Sequence, residues 1–135
     1  MSQQILMVDD DPDFRSAIRT ILEKEDYDCI EASSTNEGLR LSSQIDLDLI
    51  LLDVMMEDIA SGFRFMKERQ NIEDQNAEVH IPILMITSIQ KITALDFEAR
   101  IKEYLFSTDD FMTKPVSPKE LLLKIKKMVQ KRSDG

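Results

Sequence analysis

The chain has 135 residues, 42% of them hydrophobic and 32% charged, with a formal net charge of −9. Those values describe one globular domain with a proper core, and the acidity argues against nonspecific binding to nucleic acid or to an anionic membrane, both of which require a basic surface. The single cysteine, Cys29, excludes an internal disulfide and suits a reducing compartment, so the expected localisation is cytoplasmic.

Met1-Ser2-Gln3-Gln4 leads straight into a strand-like run, with no leader expected. No apolar stretch approaches the roughly 18 residues that a membrane-spanning helix requires. Ile5–Val8 reads as a buried strand ending in acid, Asp9-Asp10-Asp11-Pro12-Asp13. Pro12 suits the first turn of a helix and the aspartates suit its positive end. That helix, to about Glu25, carries Phe14, Ala17, Ile18, Ile21 and Leu22 on one face. A short second strand follows at Asp28–Ala32, with Cys29 expected as an inert buried thiol. Ser33-Ser34-Thr35-Asn36 offers several caps for a weaker helix to about Gln44, with Leu39, Leu41 and Ile45 as its apolar residues.

Leu49–Leu52 is an apolar run that ends abruptly in Asp53. Such a run reads as a strand buried on both faces, where a terminal carboxylate is costly unless a charge or metal meets it. Glu57–Ser61 reads as a polar loop, Gly62 as a turn or close approach, and Phe63 as the approximate start of a helix with Phe63 and Met66 inward. The polar stretch Gln70–Glu78 reads as a frayed helix end and a loop, and the lone histidine, His80, as an isolated residue without a site. Ile81–Ile86 is the fourth strand and runs into Thr87-Ser88; Ile89–Phe106 is a long helix; Asp109–Thr113 is the fifth strand, followed by Lys114-Pro115. Ser117-Pro118-Lys119-Glu120 then starts a last helix with Leu121, Leu122, Ile125, Met128 and Val129 inward and a basic final turn.

This alternation predicts an α/β fold: a five-stranded parallel sheet, doubly wound, in the flavodoxin-like order 2-1-3-4-5, forming a single domain over 1–135 with its core at about 4–131. In that order the strand ends bring Asp9, Asp10, Asp53, Thr87 and Lys114 to one edge. Three close carboxylates repel one another unless a cation or protons intervene. Mg²⁺, or another hard divalent cation, fits an all-oxygen set. A carboxylate, a metal, a lysine and a hydroxyl suit phosphoryl transfer, and a carboxylate can itself accept the group.

Ile5-Leu6-Met7-Val8-Asp9-Asp10-Asp11-Pro12, Leu51-Leu52-Asp53-Val54-Met55-Met56, Met85-Ile86-Thr87-Ser88 and Asp109-Asp110-Phe111-Met112-Thr113-Lys114-Pro115 together resemble a bacterial two-component response-regulator receiver domain. The resemblance spans nearly the whole chain. It implies that Asp53 is the phosphoacceptor and that Asp9, Asp10, Asp53 and the Met55 backbone carbonyl hold Mg²⁺. It also implies that Lys114 binds the phosphoryl oxygens, that Thr87 and Phe111 act as the switch, and that the Lys114-Pro115 bond is cis. The partners implied are a sensor histidine kinase or phosphotransfer protein and a downstream protein or output domain. No direct nucleic-acid or membrane contact is implied, and a phosphorylation-dependent dimer is left open. The domain would be a regulator rather than an enzyme in its own right.

The sequence departs from the family pattern in three places. Glu57 stands where the family usually has proline, Ser107-Thr108 precede the acidic pair of the fifth strand, and the stretch from Thr87 to Lys114 is long. Met55 and Ile89, both apolar, stand two residues after Asp53 and Thr87, where they cannot orient a hydrolytic water, so slow loss of the phosphoryl group is expected. Asp11 and Asp13 read as helix-start charges. Two other functions compete. The D-x-D of Asp9–Asp11 would suit an aspartate-nucleophile phosphohydrolase of the haloacid-dehalogenase type, but leaves Asp53 without a role. A receiver-like binding module independent of phosphorylation would not require the full residue set. Only Ser133-Asp134-Gly135 follows the last helix, so the chain is expected to be a stand-alone regulator or the receiver part of a longer one.

Overall fold

The computed structural model describes the backbone of residues 3–53, 59–87 and 109–134, and the side chains of these except residues 59, 60, 87 and 131–134. Five strands, β1 (Gln4–Val8), β2 (Asp28–Ala32), β3 (Leu49–Asp53), β4 (Ile83–Thr87) and β5 (Asp110–Thr113), form one sheet in the order β2-β1-β3-β4-β5, every pair parallel. The described helices are α1 (Pro12–Glu23), α2 (Thr35–Gln44), α3 (Ile59–Asn76) and α4 (Pro118–Asp134). The expected helix at Ile89–Phe106 lies outside the described residues.

The apolar runs are continuous because successive side chains point to opposite faces and both faces are covered. Ile5, Met7, Leu49, Leu51, Leu84 and Ile86 pack on one face with Ile18 and Leu22 of α1 and Leu121, Ile125 and Val129 of α4. Leu6, Val8, Ile50, Leu52, Ile83 and Met85 pack on the other with Phe65 and Met66 of α3, and with Leu39 and Leu41 of α2 at the margin. Each fully buried leucine or isoleucine contributes about 2 kcal/mol, so the strand ends rest on a rigid base.

Local chemistry sets the helix ends. Asp11 caps α1, its side chain accepting from the Asp13 and Phe14 N–H groups, with Pro12 in the first turn. This is the helix-start role expected of Asp11. Ala17, expected on the inward face, is exposed, because the buried stripe of α1 runs through Ile18 and Leu22 instead. Ser34 caps α2, and Ser117 Oγ accepts from the Glu120 N–H at 3.4 Å at the start of α4. Cys29 is half-buried rather than buried; desolvation still pushes its thiol up to about 11, which keeps it protonated and inert at neutral pH.

The clearest departure from the sequence reading is α3. It starts at Ile59, so Gly62 is a buried residue inside a helix rather than a turn, and it continues to Asn76 through the stretch expected to fray. In its polar second half Arg69 and Glu73 are buried by pairing. Arg69, 1% exposed, reaches Ser42 Oγ at 3.3 Å, Glu73 at 3.1 Å and Glu78 at 3.7 Å. The helix closes with the Glu78 N–H donating to the Glu73 carbonyl around Ala77 at φ 53°. That left-handed closure normally selects glycine, so the sequence carried no stop signal there. The fourth strand starts two residues later than expected, because Ile81 and Pro82 precede the ladder.

Candidate functional site

The alternation that sorts the core also aims the site. Ile5 and Met7 face α1 and α4, so Asp9 follows them to the same side, and Asp53 follows Leu49 and Leu51 likewise. Val8 pairs with Leu52 in register, which sets Asp9 and Asp53 side by side just past the ladder.

Asp9 is 3% exposed. Its Oδ1 accepts the Asp11 N–H at 2.9 Å, while its Oδ2 is buried with no hydrogen-bond partner and lies 3.7 Å from Lys114 Nζ. Burial pushes its carboxyl up to about 6; the Asp11 N–H and Lys114 pull the other way, and the neighbouring Asp53 adds to the rise. Asp53 ends β3 and is 7% exposed. Lys114 Nζ donates to its Oδ2 at 3.2 Å. Asp10 is exposed, and Asp9, Asp10 and Asp53 each place a carboxylate oxygen within 4.8 Å of the others. Thus, among the described residues, three carboxylates cluster beside the Lys114 ammonium, which reaches two of them, and Asp9 holds an orphaned buried oxygen. That donor set suits a hard divalent cation such as Mg²⁺, which would complete the coordination that Asp9 Oδ2 lacks.

Lys114 lies just past β5, and its bond to Pro115 is cis. Its Nζ also sits over the Phe14 ring, 4.2 Å from the centroid. Thr87 ends β4 opposite Thr113, which puts its backbone at the same edge; its side chain, and all of Met55, Glu57 and Ile89, lie outside the described residues. Phe111, on β5, is 42% exposed. Two contributors escaped the sequence reading. Arg15 donates to the Asp9 carbonyl and is itself held by Glu31 at 2.9 Å, which braces the acidic turn against β2. Phe14 was legible only as part of an apolar helix face.

His80 is not isolated. Its Nδ1 lies 2.7 Å from Glu73 Oε1 and its Nε2 lies 2.9 Å from Asp109 Oδ2. Those bonds, first to Asp109 and then to Glu73, raise its pKa to about 10, so both ring nitrogens donate. Glu73 Oε2 accepts the Ile81 N–H at 2.9 Å, and Asp109 Oδ2 accepts the Ile83 N–H at 2.8 Å. This cluster sits where β4 and β5 begin, at the edge opposite the aspartates, and it is structural.

Residues 5–126 match the family model described as the response regulator receiver domain. The chain is 34% identical over 131 residues to the transcriptional regulatory protein ResD of Bacillus subtilis, covering 96% of this chain and 49% of that protein. It is 31% identical over 135 residues to the phosphate regulon transcriptional regulatory protein PhoB of Pseudomonas aeruginosa, covering 100% of this chain and 55% of that protein. The chain therefore spans about half the length of these curated relatives. Among solved structures, a CheY-like receiver domain protein from Methanospirillum hungatei superposes with a TM-score of 0.79 at 23% identity, over 99% of this chain and 98% of that one, which shows the shared fold. The signal receiver domain of a histidine kinase from Syntrophus aciditrophicus gives a TM-score of 0.78 at 25% identity, over 96% and 91%. The chain belongs to the response regulator receiver domain family.

Proposed function

We propose that residues 1–135 act as one phosphorylatable signalling switch in which Asp53 accepts a phosphoryl group from the phosphohistidine of a histidine kinase or phosphotransfer protein. A carboxylate oxygen of Asp53 bonds to phosphorus as the N–P bond of the donor breaks, giving an acyl phosphate and a free histidine. Lys114, already 3.2 Å from Asp53, meets the charge that spreads over the equatorial oxygens. Asp9 and Asp10, with the Met55 carbonyl, would hold Mg²⁺, which when bound supplies charge neutralisation for the incoming phosphoryl group. Thr87 and Phe111 then report the new charge to a surface read by a downstream protein or output domain. Slow loss of the phosphoryl group, carried by Met55 and Ile89, belongs to the same reading. So do a cytoplasmic setting and the absence of direct nucleic-acid contact: the chain is acidic, and no described helix is long and apolar enough to cross a membrane.

The observation that carries the reading is a buried strand-end carboxylate, Asp53, held between a lysine and two further carboxylates. Asp11 is occupied as a helix cap, which weakens the D-x-D phosphohydrolase alternative. Incubation with acetyl phosphate and Mg²⁺, read by intact mass, is expected to load one phosphoryl group on the wild type and none on Asp53→Asn. Loading of Asp53→Asn at the wild-type rate would overturn the assignment. A wild type that binds its partner yet never loads would favour the phosphorylation-independent binding module.

A further inference from the structure

The geometry points to Phe14 as a positioning residue for Lys114, holding the ammonium over Asp53 through contacts that neither the metal nor the phosphoryl group can displace. The inference rests on the phosphoacceptor reading of Asp53.

Lys114 Nζ has three contacts among the described residues: Asp53 Oδ2 at 3.2 Å, Asp9 Oδ2 at 3.7 Å and the Phe14 ring at 4.2 Å to its centroid. Two of the three are carboxylates that the proposed chemistry engages elsewhere. A divalent cation held by Asp9 and Asp53 would compete for their charge and repel the ammonium. Loading then turns the Asp53 carboxylate into an acyl phosphate and moves the negative charge onto the phosphoryl oxygens. The ring face attracts a cation through its quadrupole, and nothing in the loading step alters that. Phe14 is thus the anchor that persists while the others change.

The surroundings make that anchor necessary and rigid. Phe14 lies in the first turn of α1, at the positive end of the helix dipole, which disfavours a nearby ammonium. An aromatic face placed there turns an unfavourable approach into a favourable one. The turn cannot drift: Asp11 accepts from the Asp13 N–H at 3.0 Å and the Phe14 N–H at 3.4 Å, Arg15 holds the Asp9 carbonyl, and Ile18 and Leu22 are buried beneath. The acidic turn that carries Asp9 and Asp10 therefore runs directly into the helical turn that carries the ring. The second cation–ring pair in the described residues, Lys67 over Phe63 at 4.7 Å, joins neighbours one turn apart on α3, and Lys67 is exposed. Only the Phe14 pair joins distant elements at the site.

The test compares wild type, Phe14→Leu, which keeps apolar bulk without a ring, and Phe14→Tyr, which restores the ring. The first readout is the ¹H shift of the Lys114 ε-methylene, which a ring face moves upfield; the second is the rate of loading by acetyl phosphate at saturating Mg²⁺. An upfield wild-type resonance that returns to its ordinary position in Phe14→Leu is expected. Loading should slow about fivefold in Phe14→Leu, the equivalent of about 1 kcal/mol, with recovery in Phe14→Tyr and no further slowing when Phe14→Leu is added to Lys114→Gln. Identical ε-methylene shifts in wild type and Phe14→Leu would overturn the inference. So would an unchanged loading rate, or equal slowing in the Lys114→Gln background. If the wild type itself never loads, the phosphoacceptor reading fails, and the ε-methylene comparison alone decides whether Phe14 holds Lys114.

Discussion

At the edge where β4 and β5 begin, buried Glu73 and Arg69 meet exposed His80 and Asp109, and nearly every polar atom finds a partner; Arg69 Nε is the exception. At the opposite edge Asp9, Asp10 and Asp53 cluster together, Lys114 reaches Asp9 and Asp53, and Asp9 Oδ2 is left without a hydrogen bond. The contrast shows in the carboxyls themselves. Burial favours the protonated acid at both ends, yet Glu73 is held below its ordinary value because His80, Ile81 and Arg69 outweigh burial, whereas burial wins at Asp9. A satisfied cluster holds a fold together; an unsatisfied one is built to receive something.

Breaking the satisfied end should cost most. Glu73→Gln removes the nearer charge partner of buried Arg69 and leaves it the more distant Glu78, and a loss of about 3 kcal/mol is expected, measured by denaturant unfolding, with Mg²⁺ binding at the other edge unchanged. The pH dependence of this end sharpens the contrast. The folded-state pKa of His80 lies above the unfolded value, so its contribution is complete below about 6.5 and is lost as pH rises toward about 10. The fall in melting temperature across that window should be shallower in His80→Gln than in wild type. The smallest effect lies at the end of α3. Ala77→Gly should stabilise by about 0.5–1 kcal/mol, because glycine adopts the left-handed conformation at Ala77 without a Cβ penalty; a lower melting temperature in that variant would contradict the assigned helix ending.

Much of this was readable in the chain, for a physical reason. Asp9 and Asp53 continue a two-residue alternation fixed by core burial, so their side of the sheet, and their meeting, follow from the apolar runs before them. The strand order follows from alternating strands and short helices, and the fold agrees with it. The second half of α3 was not readable, because Arg69 and Glu73 look like surface residues until Ser42 and His80 arrive from other elements. His80 looked solitary because its partners, Glu73 and Asp109, lie on either side of it in sequence and converge only at the sheet edge. Phe14 over Lys114 escaped for the same reason: a helix face predicts burial, and says nothing of a cation arriving from the far end of the chain.

The clustered negative charge of Asp9, Asp10 and Asp53 is the basis of the proposed divalent-cation site at the carboxyl edge. A Mg²⁺ titration followed by backbone amide shifts tests it most directly. Saturable changes are expected at Asp9, Asp10, Asp11, Asp53 and Lys114, with Glu73, His80 and Asp109 unmoved. Amides of Asp9 to Asp11 and Asp53 that stay unchanged through millimolar Mg²⁺, or changes centred on Glu73, His80 and Asp109 instead, would contradict it.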